Sequence, residues 1–166
     1  METIKIHTAQ EFNNLPDKFD KLTNVEIHAN LETFNKTTEN AIFYLKSGSI
    51  SDVRGGTITS IRGGTITSIS GGTISRVYDG TISNVRGGII TDVRGGTISR
   101  VYGGTISDVR GGTITNVRGG TITDVSGGNI SGVYDGTITH VSGGTITDVS
   151  GGTITDVSGG NISGIS

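Results

Sequence analysis

The sequence contains no cysteine and no tryptophan, has a single proline, and nowhere strings together a long apolar run. Absent cysteine excludes a disulfide framework and a thiolate metal site, and leaves the redox compartment open. Without the ~20 consecutive apolar residues of a membrane span, no transmembrane helix is expected. The N-terminal stretch from Met1 to His7 lacks the basic-then-apolar order of a secretory signal, so cytoplasmic synthesis is the default expectation. Hydrophobic residues make up 31% of the chain and aromatics 5%, too little volume for a thick layered core but enough for a thin stacked one. A large excess of one charge is missing too: the net charge is −2, which disfavours nucleic acid as a partner.

What is present is glycine, 29 residues of it, and a repeat. From Ser47 to Ser166 the chain divides into fifteen consecutive octapeptides of the type Gly-Gly-Thr-Ile-Thr-Asp-Val-Arg, with no insertion or deletion. Position one is Gly except at Ser47, Asp79 and Asp135; position two is always Gly, position four always Ile, and position seven Val or Ile. Thr57-Ile58-Thr59 alternates out, in, out as a β-strand does. Position seven comes three residues after position four, so a bend near positions five and six is needed for both side chains to face one core. The glycine pair suits a tight corner, where a left-handed backbone is cheap only without a Cβ.

These features predict an all-β fold, a β-solenoid (β-helix) of octapeptide repeats over residues 47–166. A 16-residue coil has a perimeter of roughly 50 Å, which two sheets ~10 Å apart can close with two Ile and two Val per layer. Two octapeptides per coil is therefore the expectation. A 24-residue coil is the alternative, because Gly71 to Arg94 and Gly95 to Arg118 resemble copies of one another.

Residues 1–46 differ. They hold all five lysines, all four phenylalanines and the proline, and two similar strands, Ile4-Lys5-Ile6-His7 and Val25-Glu26-Ile27-His28. Thr8 with Glu11 three residues on has capping-box spacing, so a short helix is predicted to start there and stop near Pro16. This region reads as a small α+β N-terminal cap covering the first coil. The repeat runs unmodified to Ser166, leaving Asn161, Ile162 and Ile165 as a candidate oligomer edge and a homo-oligomer as the expected state.

The octapeptides resemble the short-repeat β-solenoids of bacteria and phages. The eight-residue period is also similar to that of the interlocked three-chain β-helices of phage and secretion-system spikes, although their Val-x-Gly spacing is absent. The first resemblance implies the solenoid architecture alone; the expected role is a non-enzymatic structural or binding rod, dimerising through its open C-terminal end. The second implies an obligate trimer, located in a virion or outside the cell.

Three constellations could carry function. Paired outward threonines, Thr57/Thr59, Thr121/Thr123, Thr137/Thr139 and Thr153/Thr155 among them, resemble the ice-binding face of hyperactive antifreeze solenoids, which would place the protein outside the cell; Thr is also simply a good solvent-facing strand residue. Arg54, Arg62, Arg86, Arg94, Arg110 and Arg118, interspersed with Tyr78 and Tyr102, form a candidate interaction face for a protein partner. A ladder in which Arg stacks on Tyr or pairs with Asp92 and Asp108 accounts for the same residues without a ligand. Gly119 to Asp124 resembles the calcium-binding nonapeptide of β-roll toxins, but its fourth residue is Ile and its period is eight, so neither metal nor cofactor is expected. No inserted loops wall a groove and the histidines are only His7, His28 and His140, so no catalytic residues are assigned. Charge is uneven along the repeats: eight Arg and four Asp lie between Ser47 and Arg118, against four Asp and no Lys or Arg from Gly119 onward.

Overall fold

The computed structural model describes all 166 residues, Met1–Ser166, as a parallel β-solenoid of about nine turns with 16-residue spacing. Pairing runs from each octapeptide to the next but one: Thr105 pairs with Thr121, Ile106 with Ile122, Asp108 with Asp124 and Val109 with Val125. Two octapeptides thus make one coil, and each coil is closed by a single chain. The 24-residue similarity is a one-and-a-half-coil shift, not a turn. Odd-numbered octapeptides, starting at Ser47, Gly63, Asp79 and so on, stack into one face; even-numbered ones, starting at Gly55, Gly71 and Gly87, stack into the other. No helix is long and apolar enough to cross a membrane.

The expected bend is visible in the pairing. Positions three, four, six and seven have partners in successive coils, while position five is skipped between Ser107 and Thr123 and at the equivalent places. The residue stepped over lets Ile and Val three apart both turn inward, and both columns are fully buried from Ile50 to Ile146. At the corner only the second glycine is left-handed as a rule. Gly104 has φ +78°, and a Cβ there would lie 2.6 Å from the carbonyl oxygen of Gly88 in the coil before. Position one escapes the left-handed requirement at Asp79 and Asp135, which is why an aspartate can stand there.

The solenoid extends through residues 1–46 rather than starting after them. Strand β1 (Glu2–Ile6) pairs in parallel with β2 (Lys18–Ile27), β2 with β4 (Glu39–Leu45), and β4 with β6 (Thr57–Ile69); on the other face β3 (Asn30–Phe34) pairs with β5 (Ser49–Val53). The inward columns are unbroken: Ile4, Val25, Phe43, Ile58 on one face and Leu31, Ile50, Ile66 on the other. Between these strands lies α1 (Ala9–Asn13), capped by Thr8, whose hydroxyl accepts from the Glu11 amide while the Glu11 carboxylate accepts from the Thr8 amide. Its Phe12 packs on Phe34 and Phe43, with ring centroids 5.6 and 6.2 Å away. The first coils thus add three aromatics to their aliphatic core, whereas the rest are filled by Ile and Val alone.

Candidate functional surfaces

Stacking two octapeptides per coil turns each repeat position into a straight column of side chains, ~4.8 Å apart from coil to coil. Candidate residues therefore sort by face and by column. The threonines singled out from the sequence all belong to the even face. Its position-three column is Thr57, Thr73, Ile89, Thr105, Thr121, Thr137 and Thr153, each paired with the next. Alongside runs the position-five column, Thr59, Ser75, Thr91, Ser107, Thr123, Thr139 and Thr155. On the odd face the position-three column opens with Ser49 and contains Asn129 and Asn161. The hydroxyl-and-methyl surface is the more regular on the even side, with Ile89, 47% exposed, as its one apolar interruption.

The arginines and tyrosines do not form one face. The 16-residue coil puts Arg54, Arg86, Tyr102 and Arg118 on the corner that follows the odd face, and Arg62, Tyr78, Arg94 and Arg110 on the corner that follows the even face. Positions six and eight touch along both corners. On the odd edge Arg54 Nε donates to Asp52 Oδ2 at 2.8 Å and Ser70 Oγ to Asp52 Oδ1 at 2.5 Å. Burial disfavours the charged form of Asp52, but the bonds from Ser70 and Arg54 outweigh it and hold its carboxyl below the usual carboxylate range.

On the even edge every position-eight guanidinium is occupied, and only Arg76, at position six, has no partner. Arg62 and Arg94 sit on Tyr78, 5.5 and 5.6 Å from its ring centroid. Arg94 Nε contacts Asp92 Oδ2 at 2.5 Å, and Arg110 lies 3.7 Å from both Asp92 and Asp108. The Asp92 side chain is only 8% exposed, and its hydrogen bond and charge are what raise the pKa of Arg94. Arg with Tyr and Asp thus makes an intramolecular ladder here, the ligand-free arrangement that the sequence allows. On the odd edge Arg118 stacks on Tyr134 at 5.6 Å, while Arg86 and Arg100 have neither carboxylate nor ring partner. Arg100, at position six, is a residue that sequence reasoning missed; only the coil length places it beside Arg86 and Arg118.

No protein-family model, curated protein or solved structure matches the chain.

Further along the even face, His140 stands between two aspartates, with Nδ1 3.4 Å from Asp124 and Nε2 3.9 Å from Asp156. In the first coils His7 stacks on His28 with centroids 5.4 Å apart, as the paired strands predict, and Glu26 lies between His28 and Lys46. Lys46 Nζ, 3.1 Å from Glu26, is the main cause that keeps this carboxyl below its usual range against some burial. At the other end the inward columns surface: Val157 is 51% and Ile165 75% exposed, and Ile154 and Ile162 are only partly covered.

Proposed function

We propose that the protein is a non-enzymatic structural and binding rod. The observation that carries this reading is the continuity of the inward columns in parallel stacking from Ile4 to Ile162: every coil stacks on the last around one continuous apolar core, so the surface of the repeats is a set of straight columns with a fixed repeat. Such a surface suits a periodic partner better than a single small molecule. Closure of each coil within one chain favours this over an interlocked trimer, in which three chains would share every layer. In this 166-residue chain the exposed Val157 and Ile165, with the partly covered Ile162, offer an apolar platform to a second copy, joining rods end to end. Light scattering across a concentration series is the test. A mass above the monomer that Ile162→Asp reduces to the monomer supports end stacking, and an unchanged mass refutes it.

A second reading is favoured by the in-register threonine columns of the even face, whose alternating methyls and hydroxyls at one fixed spacing could order water on an ice-like lattice. Thermal hysteresis is the measurement. Activity in the parent chain that Thr123→Tyr removes supports it, because the ring breaks the grid in mid-face; no hysteresis at millimolar protein disposes of it.

A further inference from the structure

We infer that the odd edge is a self-complementary docking surface for a second copy of this chain, laid antiparallel alongside the first. This goes beyond end stacking and uses different residues. Coil by coil, the edge carries Asn84 and Arg86, then Arg100 and Tyr102, then Asn116 and Arg118, then Gly132, Tyr134 and Asp135, then Asp148 and Ser150, then Gly164 and Ser166. It is cationic over three coils and anionic over the next two, with the change of sign between Arg118 and Asp135. Position-one residues on the cationic stretch are Gly87, Gly103 and Gly119, so nothing bulky keeps a neighbour away.

A two-fold axis lying across the edge between the Arg118 and Asp135 coils reverses the rod direction and sets each column against the same column of the partner. The coil one step before the axis then meets the coil one step after it, and likewise for the second steps. Arg100 therefore faces Asp148 within the position-six column, while Arg118 in the position-eight column faces Tyr134 and reaches Asp135 in the adjoining position-one column. The symmetry makes each pair twice, giving four ion pairs from a contact in which both copies use the same patch. Arg100 and Asp148 have no ion-pair partner within their own chain, nor has Asp135. Arg86 falls opposite Gly164 and Ser166 and gains nothing. An extended polyanion along the same edge is less well served, because beyond three coils of positive charge it runs onto Asp135 and Asp148. The even edge is less free to pair with a partner: Arg94 and Arg110 are tied to Asp92 and Asp108, Asp124 and Asp156 flank His140, and of its arginines only Arg76 has neither a carboxylate nor a ring partner.

Exposed ion pairs are weak and salt-screened, so the association should weaken about tenfold or more between ~20 mM and ~300 mM NaCl, whereas an apolar end contact should not. The test is sedimentation of the full chain carrying Ile162→Asp, which separates the edge from the end whether or not end stacking exists. Two double variants, Arg100→Asp with Arg118→Asp, and Asp135→Lys with Asp148→Lys, are made in that background. Each alone should be monomeric at low salt, and an equimolar mixture should associate, because the mixed dimer restores all four pairs. Arg86→Glu should leave association within about twofold, as a residue outside the contact should. Circular dichroism identical to that of the Ile162→Asp background confirms that the charge substitutions, all outside the core, leave the coils folded. A mixture that stays monomeric, or either double variant associating like the parent, overturns the proposal. So does a parent chain that stays monomeric at low salt but binds heparin through Arg86, Arg100 and Arg118 alike, since that outcome assigns the edge to an anionic ligand.

Discussion

The first coils and the repeat coils build the same solenoid by different means. From Ile4 to Val25 the chain takes 21 residues per step, from Val25 to Phe43 it takes 18, and in the repeats it takes 16. Yet the inward columns stay in line throughout. The excess is accommodated elsewhere: one stretch becomes α1, and where β4 meets β6 the count changes by one, Phe43 and Leu45 two apart facing Ile58 and Ile61 three apart. The conserved quantity is thus the inward column, not the perimeter. The repeats need every Ile and Val alike, whereas the first coils depend on a few unique side chains, Phe12, Phe34 and Phe43, meeting at one place.

The comparison can be broken from either side. The largest effect is expected in mid-rod: Ile106→Asp places an unpaired carboxylate in the fully buried column, at a cost of ~5 kcal/mol or more, and thermal unfolding should show the whole chain lost or split into two separately melting segments. Phe34→Ala, by contrast, opens a cavity among three rings. It should cost ~3–5 kcal/mol, and hydrogen exchange should report it in residues 1–53 well before the distal repeats. Equal loss of protection along the rod would mean that the first coils nucleate all the others. Thr8→Ala removes a cap and should cost ~1 kcal/mol, raising exchange around α1 alone.

The smallest effect expected is on pH dependence. Glu26 in the first coils and Asp52 at the start of the repeats both titrate below the usual carboxylate range when folded. Each contributes stability that is present above its unfolded value and disappears as the pH falls through the lower, folded value. Melting temperature should therefore drop on acidification through that range. Glu26→Gln should reduce the drop, as should Asp52→Asn.

Much of this fold was legible in the octapeptide itself. Thr-Ile-Thr announces a half-buried strand, Ile and Val three apart demand a bend, the invariant second glycine marks a left-handed corner, and Thr8 with Glu11 marks the helix start. Two octapeptides per coil followed from what two Ile and two Val can fill. The extension of the register into residues 1–46 was not legible, because steps of 21 and 18 residues hide the columns that Ile4, Val25 and Phe43 continue. The surfaces were legible only by residue type. Arg54 to Arg118 read as one patch until the coil length divides them between two edges, and Arg100 joins them only then. The even-face threonine columns are legible once a 16-residue coil is taken, which moves Ser83 and Ser99 to the odd face and leaves Ser75, Ile89 and Ser107 as interruptions within them.

The half-coil octapeptide has one further consequence. Any gain or loss of an odd number of units leaves the core intact but rotates everything beyond it by half a turn, exchanging the two faces, whereas an even number only changes the length. The similar segments Gly71 to Arg94 and Gly95 to Arg118 are three units long, so their matching Arg-Val-Tyr triplets fall on opposite sides, with Tyr78 between Arg62 and Arg94 on one and Tyr102 carrying no arginine on the other. In a rod of this kind the parity of the unit count acts as a phase, and it alone decides which surfaces lie on a common side.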